Sequence, residues 1–443
     1  MESGQNILPK RDAGFAFRAL RNRDYRLLFF PQTLSLCGFW MQHTAQAWLV
    51  YRLSDSPGWL GAITFCTLFP IFVFSLWAGV LGDKYSRRWI LWVVNLGAMM
   101  QALVLAGLTL GGVVTIEWIA CLALLQGILS AFEIPARQAI VLDIVSRDTL
   151  PSAIALNSSS FNIARLVGPL LAGFMIGFWG EGICFLINAL TYPAALVALL
   201  LLKTNPSTQV EESGSHWDSL LVGLAYVRKS SDLKSLLLLM GGMSLFGIWF
   251  MTFMPVFARD VYQGGPDVLG QMIGAVAFGA LLGAFLLGHR DHIFGLGKWI
   301  TGGALGLSAG IVVFPNLDSY IPALVVLFLM GLAMVIHNVG ITTMIQTLAP
   351  DRMRSRIASV STFAFLGVGP IGALAAGLVA EKIGAPAMMT GAGVGCLMVA
   401  VFLGGAVKSI QAKGPDQLET CNTISAVGGP EVPDPKKART RQM

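Results

Sequence analysis

Arg165 is the residue of this chain whose setting most demands a partner. It lies about thirteen residues into an apolar stretch, which at about 1.5 Å per residue is near the middle of a helix long enough to cross a bilayer. A guanidinium at that depth costs several kcal/mol unless it is paired or wetted. Arg165 is therefore a candidate to hold an anionic or oxygen-rich group, with a buried ion pair as the alternative, and Asn162 stands one turn before it. Glu133 and Arg137 lie one turn apart with the acid first, the favourable order on a helix. Glu133 is the one carboxylate well inside a predicted helix, so it is the candidate proton carrier. The competing reading, which we adopt, is a gate in which Glu133 and Arg137 meet the charged turn of Asp83, Arg87 and Arg88, reached through Gly79 and Gly82. His43 lies between Gln42 and Gln46, and His337 precedes Asn338 in the other half of the chain. Each histidine is a candidate to take a proton or a metal ion, against the plainer role of a hydrogen-bonded packing residue. The ligand spacing of a metal site is missing, and no nucleotide-binding loop occurs, so neither a resident cofactor nor an enzyme is expected.

The elements that must position these residues are membrane helices. The 443 residues are 55% hydrophobic and only 12% charged, with a mean hydropathy of +0.69. A soluble protein carries about twice that charge fraction. Apolar runs recur along nearly the whole length, each able to cross a hydrocarbon core of about 30 Å, and they are too long and continuous for a barrel. Backbone groups in lipid must be satisfied within helices, so the expected fold is all-α. Spans are predicted over 27–51, 58–81, 89–110, 115–142, 152–176, 182–202, 234–257, 267–288, 298–315, 319–346, 356–380 and 385–407. Lys and Arg collect on the side of the termini, apart from Arg52, Arg259 and Lys382 in the opposite loops and Arg165 within a helix. That asymmetry places both termini in the cytoplasm. The net charge of +6 follows from it and is no signal for nucleic acid.

The chain divides into a polar, basic segment 1–26, a six-helix bundle 27–202, a linker 203–233, a second bundle 234–407 and a disordered tail 408–443 ending in Lys436, Lys437, Arg439 and Arg441. In the linker, Ser215 and Asp218 form a capping pair, and Trp217, Leu220, Leu221, Leu224 and Val227 follow at helical spacing, as in a helix lying on the membrane surface. Asp148 to Ala155 followed by Gly168-Pro169 recurs as Asp351 to Ala358 followed by Gly369-Pro370, a repeat that suits two related halves around a cavity. Glycines at small-xxx-small spacing, Gly270, Gly274, Gly279 and Gly283, then Gly369, Gly372 and Gly377, mark faces for close packing, mobile or static.

Gly79-Val-Leu-Gly-Asp83-Lys-Tyr-Ser-Arg87-Arg88 resembles the signature loop between the second and third helices of the major facilitator superfamily. Arg165-x-x-Gly168-Pro169-x-x-Ala-Gly173 resembles the helix-5 motif of that superfamily's antiporters, with Ala172 in place of one glycine. Trp40-Met-Gln-x-x-Ala-Gln-Ala-Trp48, Pro135-Ala-Arg137-Gln and Asn162-Ile-Ala-Arg165 narrow the likeness to the branch that includes enterobactin exporters, over residues 20 to 405. Phe39 departs from the small polar or acidic residue often found there. The resemblance implies a twelve-helix transporter of two pseudo-symmetric six-helix bundles in the inner membrane. It further implies proton-linked export of a siderophore or similar hydrophobic small molecule by alternating access, with lipid, protons and the cargo as its only partners. Two alternatives stay open: transport of iron or another metal ion through His43 and His337, including at an internal membrane, and a membrane scaffold acting through the basic tail.

Overall fold

The computed structural model describes residues 17–146, 148–203, 216–289, 295–350 and 353–410; the side chains of 75–76, 79–84 and 216–220 lie outside that description. Thirteen helices account for most of it: α1 Arg23–Ser54, α2 Pro57–Lys84, α3 Arg87–Leu110, α4 Ile116–Ile144, α5 Leu150–Trp179, α6 Glu181–Leu201, α7 His216–Lys229, α8 Ser231–Val261, α9 Pro266–Gly288, α10 Leu296–Asn316, α11 Tyr320–Leu348, α12 Arg354–Ile383 and α13 Ala385–Ser409. Among the described residues, eleven helices are long and apolar enough to cross a membrane. α1 is the twelfth span: it has 32 residues, but Gln32, Gln42, His43 and Gln46 lower its hydropathy. α7, on the predicted linker, is short and packs beside the start of α12, where Gly223 meets the Arg356 carbonyl. The predicted Ser215–Asp218 cap lies outside the described residues and side chains.

Local chemistry explains where the spans begin and end. Asn22 caps α1, its Oδ1 accepting from the amides of Asp24 and Tyr25 at 2.9 and 3.3 Å, while its Nδ2 donates to the Ile144 carbonyl at 2.9 Å. One side chain thus starts a helix and ties it to the end of α4. α5 turns into α6 through Gly180 alone, and α12 into α13 through Gly384 alone, at φ +79 and +84, where a Cβ would be strained. Two spans are less regular than their sequence predicts. α8 passes through a tight turn at Ile248–Phe253, after Gly247, and a wide turn at Phe257–Val261, after Pro255. α12 holds a wide turn at Phe363–Gly367, just before Gly369-Pro370. Proline removes an amide and crowds the preceding turn, so the ladder must shift register there.

Packing repeats between the halves. In the first, α1 lies against α5 and α6, α2 against α4, and α3 against α4 and α6; in the second, α8 lies against α12 and α13, α9 against α11, and α10 against α11 and α13. The halves meet along two seams, α5 on α9 and α2 on α12, which exchange under the same two-fold. Each seam closes on a glycine pair. A Cβ on Gly173 would stand 2.6 Å from the Pro266 carbonyl oxygen and 3.1 Å from the Gly270 Cα; one on Gly61 would stand 2.5 Å from the Ala373 oxygen and 3.0 Å from the Gly377 Cα. Gly61 and Gly270 are the fifth residues of α2 and α9, and Gly173 and Gly377 are seventh from the ends of α5 and α12. The predicted small-residue faces therefore divide: Gly270 and Gly377 join the halves, whereas Gly279, Gly283 and Gly372 pack within one. Inside the first half, Gln42, Gln101 and Asn188 form a buried polar chain across α1, α3 and α6, with contacts of 3.1 and 2.8 Å. Trp77, Phe178, Ile321 and Phe402 stand exposed on the outside, where lipid would cover them.

The face carrying the described ends, Phe17 and Ile410, is the terminal face; the opposite one, with the α1–α2 turn, is the far face.

Candidate functional site

Arg165 stands where the halves meet. α5 supplies it, and its neighbours come from three other spans: Trp40 of α1, Met251 of α8 and Met334 of α11. Its Nη2 lies 3.5 Å from the Met251 sulfur and 3.9 Å from that of Met334, and its Cζ is 5.8 Å from the centre of the Trp40 ring. Its Nε is buried and has no hydrogen-bond partner. No carboxylate pairs with it among the described residues; the carboxylates nearest in kind, Glu133, Asp143 and Glu181, are taken by Arg137, Arg87 and Arg52. Thioethers accept weakly, and an indole face attracts a cation by about 0.5–2 kcal/mol. Such neighbours hold the guanidinium in place without neutralising it, and its donors stay free for an anion.

An aromatic wall flanks it. Trp40 meets Phe161 edge to face at 5.7 Å and His43 at 5.9 Å, with Phe39 6.3 Å from His43. Phe39, in place of the small polar or acidic residue often found there, thus sits in this wall. His43, one turn on from Trp40 and in contact with its ring, is exposed and shares the Trp40 side of α1, while Gln46 is half-buried. Gln42 does not. It turns into the first half, where Gln101 and Asn188 hold it, because a helix advances about 100° per residue. Asn162 stays half-buried one turn before Arg165, its Nδ2 donating to the Ser158 carbonyl at 2.8 Å.

His337 is placed differently from its sequence expectation as a partner of His43. It is 1% exposed, pressed on α10 beside Gly303, with Nδ1 3.4 Å from the Ile300 carbonyl and Nε2 unpartnered. Asn338, the next residue, is half-buried. The two histidines belong to different helix contacts, so the structure does not bring them together, and among the described residues no three His, Cys, Asp or Glu gather as metal ligands.

The gate residues sort into separate contacts within the first half. Arg87 pairs with Asp143 at 2.5 Å and reaches the Ala139 carbonyl, both on α4. Arg88 donates to the carbonyls of Leu200 and Leu202 at 2.6 and 3.0 Å, covering the end of α6. Glu133 pairs with Arg137 along α4, and Arg137 lines a small cavity with Gln32, Ser35 and Asn95. The Arg87–Arg88 turn therefore grips α4 and α6 and does not reach the Glu133–Arg137 pair. Gly79 and Asp83 fall outside the described side chains. The helix-5 motif is a junction: a Cβ on Gly168 would stand 2.6 Å from that of Trp40, the Pro169 carbonyl faces Gly270, and Gly173 meets α9.

Sequence reasoning missed Met251 and Met334 around Arg165, and a set of contacts on the far face among Tyr51, Asp55, Arg259, Asp260 and Glu381. A signal for the latter existed. Arg52, Arg259 and Lys382 break the charge asymmetry, and each has an acid beside it: Glu181, Asp55 with Asp260, and its chain neighbour Glu381.

Comparison with known proteins follows the same lines. A family model described as transmembrane secretion effector, of the major facilitator type, matches residues 14–423. The staphyloferrin A transporter of Staphylococcus aureus (strain NCTC 8325 / PS 47) is 27% identical over 300 residues, 66% of this chain and 74% of that protein. The enterobactin exporter EntS of Escherichia coli O1:K1 / APEC is 24% identical over 386 residues, 86% of this chain and 90% of that one. A solved structure of a bacterial homolog to the human lysosomal transporter Spinster, inward-facing and unoccupied, superposes with a TM-score of 0.65 at 15% identity, over 90% of this chain and 98% of that one. At that identity the likeness is one of fold.

Proposed function

This chain belongs to the transmembrane secretion effector family of the major facilitator superfamily, and from that premise we propose that it exports an anionic, siderophore-like small molecule by alternating access. It is a multi-pass membrane transporter and not an enzyme. The observation that carries the finer reading is Arg165: a guanidinium between the two halves, held by two sulfurs and an indole, with no carboxylate among the described residues to neutralise it. The aromatic wall beside it suits a cargo with flat or apolar parts. Relatives named for staphyloferrin A and enterobactin support a siderophore as that cargo.

In this reading the moving bodies are residues 27–202 and 234–407, joined by 203–233. Spans alternating in direction within two halves around a central site suit that motion. The basic side, which carries the termini, faces the cytoplasm of the inner membrane, as the excess of Lys and Arg there supports. Protons drive the exchange, and lipid is the only other partner. The metal-ion alternative draws no support from His43 and His337, which lie apart.

The test is transport by the full chain in liposomes, with enterobactin and staphyloferrin A as cargo. Arg165→Ala is expected to raise KM about tenfold or more, the worth of a charge-assisted hydrogen bond, with partial recovery in Arg165→Lys. Dissipating the pH gradient is expected to abolish uphill movement. An Arg165→Ala protein with unchanged KM for both cargoes overturns the reading.

A further inference from the structure

The far face is shut by contacts that converge on eight residues, 51–58: the last turn of α1, its exit, and the first residues of α2. Asp55 adopts the left-handed conformation there, φ +50, which stops α1 and redirects the chain into α2. From the other half come Arg259 and Asp260, at the end of α8, and Glu381, near the end of α12. Arg259 donates to Asp55 at 2.6 Å and to Asp260 at 2.9 Å, and its Cζ lies 4.2 Å from the centre of the Tyr51 ring. The Tyr51 hydroxyl donates to the Asp260 carboxylate. On the adjoining seam, Glu381 Oε2 accepts from the Ser56 hydroxyl at 2.6 Å and from the Gly58 amide at 3.1 Å. A carboxylate of the second half thus occupies a helix N-terminus of the first, where unpaired amides and the helix dipole favour negative charge.

We propose that residues 51–58, gripped by Arg259, Asp260 and Glu381, form the latch that sets the far-closed state of this protein. The proposal rests on the reading of the chain as an alternating-access transporter. A contact biases a two-state equilibrium only if it is made in one state and lost in the other. Arg52–Glu181, Arg87–Asp143 and Glu133–Arg137 each lie within one half and travel with it. The 51–58 contacts join the halves across their separation, so opening the far face must break them. Deeper in, the seams hold the Gly61–Gly377 and Gly173–Gly270 backbone contacts and a Thr64–Thr252 hydroxyl contact of 3.3 Å, which are uncharged. Among the described residues, the carboxylate contacts between the halves therefore belong to this outermost ring.

Exposure makes it a latch and not a staple. The Asp55 side chain is 73% exposed and that of Arg259 32%. When the halves part, water replaces their partners at once, and no ion is stranded in an apolar interior. A fully buried pair would resist separation by several kcal/mol for each stranded ion. A wetted pair with good geometry gives a bias large enough to hold one state and small enough to reverse.

The test needs no cargo, so it stands or falls apart from the siderophore reading. Spin labels on Val113→Cys and Ile321→Cys, exposed residues of opposite halves on the far face and outside the latch contacts, report the opening as a distance distribution. The labels are placed in the full chain with its six native cysteines replaced. The parent is expected to show mainly the short distance. Arg259→Gln, Glu381→Gln and Asp55→Asn, the last of which keeps a residue at ease with positive φ, are expected to raise the ratio of long to short distance about two- to fivefold each. Tyr51→Phe removes a single hydroxyl and carries the test should a charge variant fail to fold; its shift is expected in the same direction and smaller. Distributions equal to the parent in these variants overturn the latch.

Discussion

Arg165 and Arg137 are both guanidiniums within spanning helices, and their partners tell them apart. Arg137 has Glu133 one turn away along α4; Arg165 has two sulfurs and an indole. Removing Arg137 leaves a carboxylate without its cation, so Arg137→Ala is expected to destabilise the protein by about 3–5 kcal/mol. Removing Arg165 relieves an unpaired charge. Arg165→Met, similar in length and apolar, is expected to raise stability by about 1–3 kcal/mol while transport of anionic cargo is lost. Thermal unfolding in detergent, read beside transport, checks the opposite signs; a fall for both variants would mean that Arg165 has a structural partner. The buried chain of Gln42, Gln101 and Asn188 belongs to stability alone. Asn188→Leu strands the Gln42 carbonyl oxygen and is expected to cost about 1–3 kcal/mol with the KM for cargo unchanged.

Single helices carry two tasks at once. α1 holds Trp40 beside Arg165 and, three turns on, Tyr51 in the latch; α8 holds Met251 beside Arg165 and, about two turns on, Arg259 and Asp260. In the proposed reading, a cargo entering between Trp40 and Met251 would spread the two helices whose ends form the latch. Saturating enterobactin is therefore expected to lengthen the Val113–Ile321 distance in the parent. Arg165→Ala should lose that response, yet still open when Arg259→Gln is added. The glycine seams work in the opposite sense, since they set how closely the halves can approach. Gly173→Val puts a branched side chain where 2.6 Å separates a Cβ from the Pro266 oxygen, so the seam is pried apart and the long distance is expected to dominate without cargo. Gly177, one turn along the same helix, meets nothing within 4 Å, and Gly177→Val serves as the control.

Across the whole molecule the two-fold organises closure. Equivalent glycines seal both seams, and equivalent one-residue turns, Gly180 and Gly384, join the fifth and sixth spans of each half. The latch breaks this symmetry. Glu381 caps α2 on one seam, while the corresponding place on α5, two residues from its end, is Gly177. Orientation is tested at this scale with a membrane-impermeant maleimide on intact cells. Val113→Cys on the far face is expected to react from outside, and Lys229→Cys at the end of α7 only after permeabilisation. The reverse pattern overturns the assignment of the terminal face to the cytoplasm.

Much of this was legible in the chain because it depends on neighbours in sequence. Whether a stretch enters lipid is decided by its own apolar length, where it starts by a residue such as Asn22, and where it stops by a glycine such as Gly180. Span number and all-α class therefore followed from the sequence by itself, as did the depth of Arg165 in its helix but not its lack of a carboxylate partner. Local reading left each histidine open between a cavity role and a packing role, and could not tell which of Gln42, His43 and Gln46 turns inward. Which side of a helix faces the cavity depends on its rotation against other helices, and that is set by close approaches such as Gly303 to His337 or Gly38 to Asn188. Only the tertiary structure decided which charges meet across the halves. Tyr51 reaches Asp260 and Ser56 reaches Glu381 from positions 209 and 325 residues apart, and no periodicity along the chain encodes a contact made by two separately folded bundles.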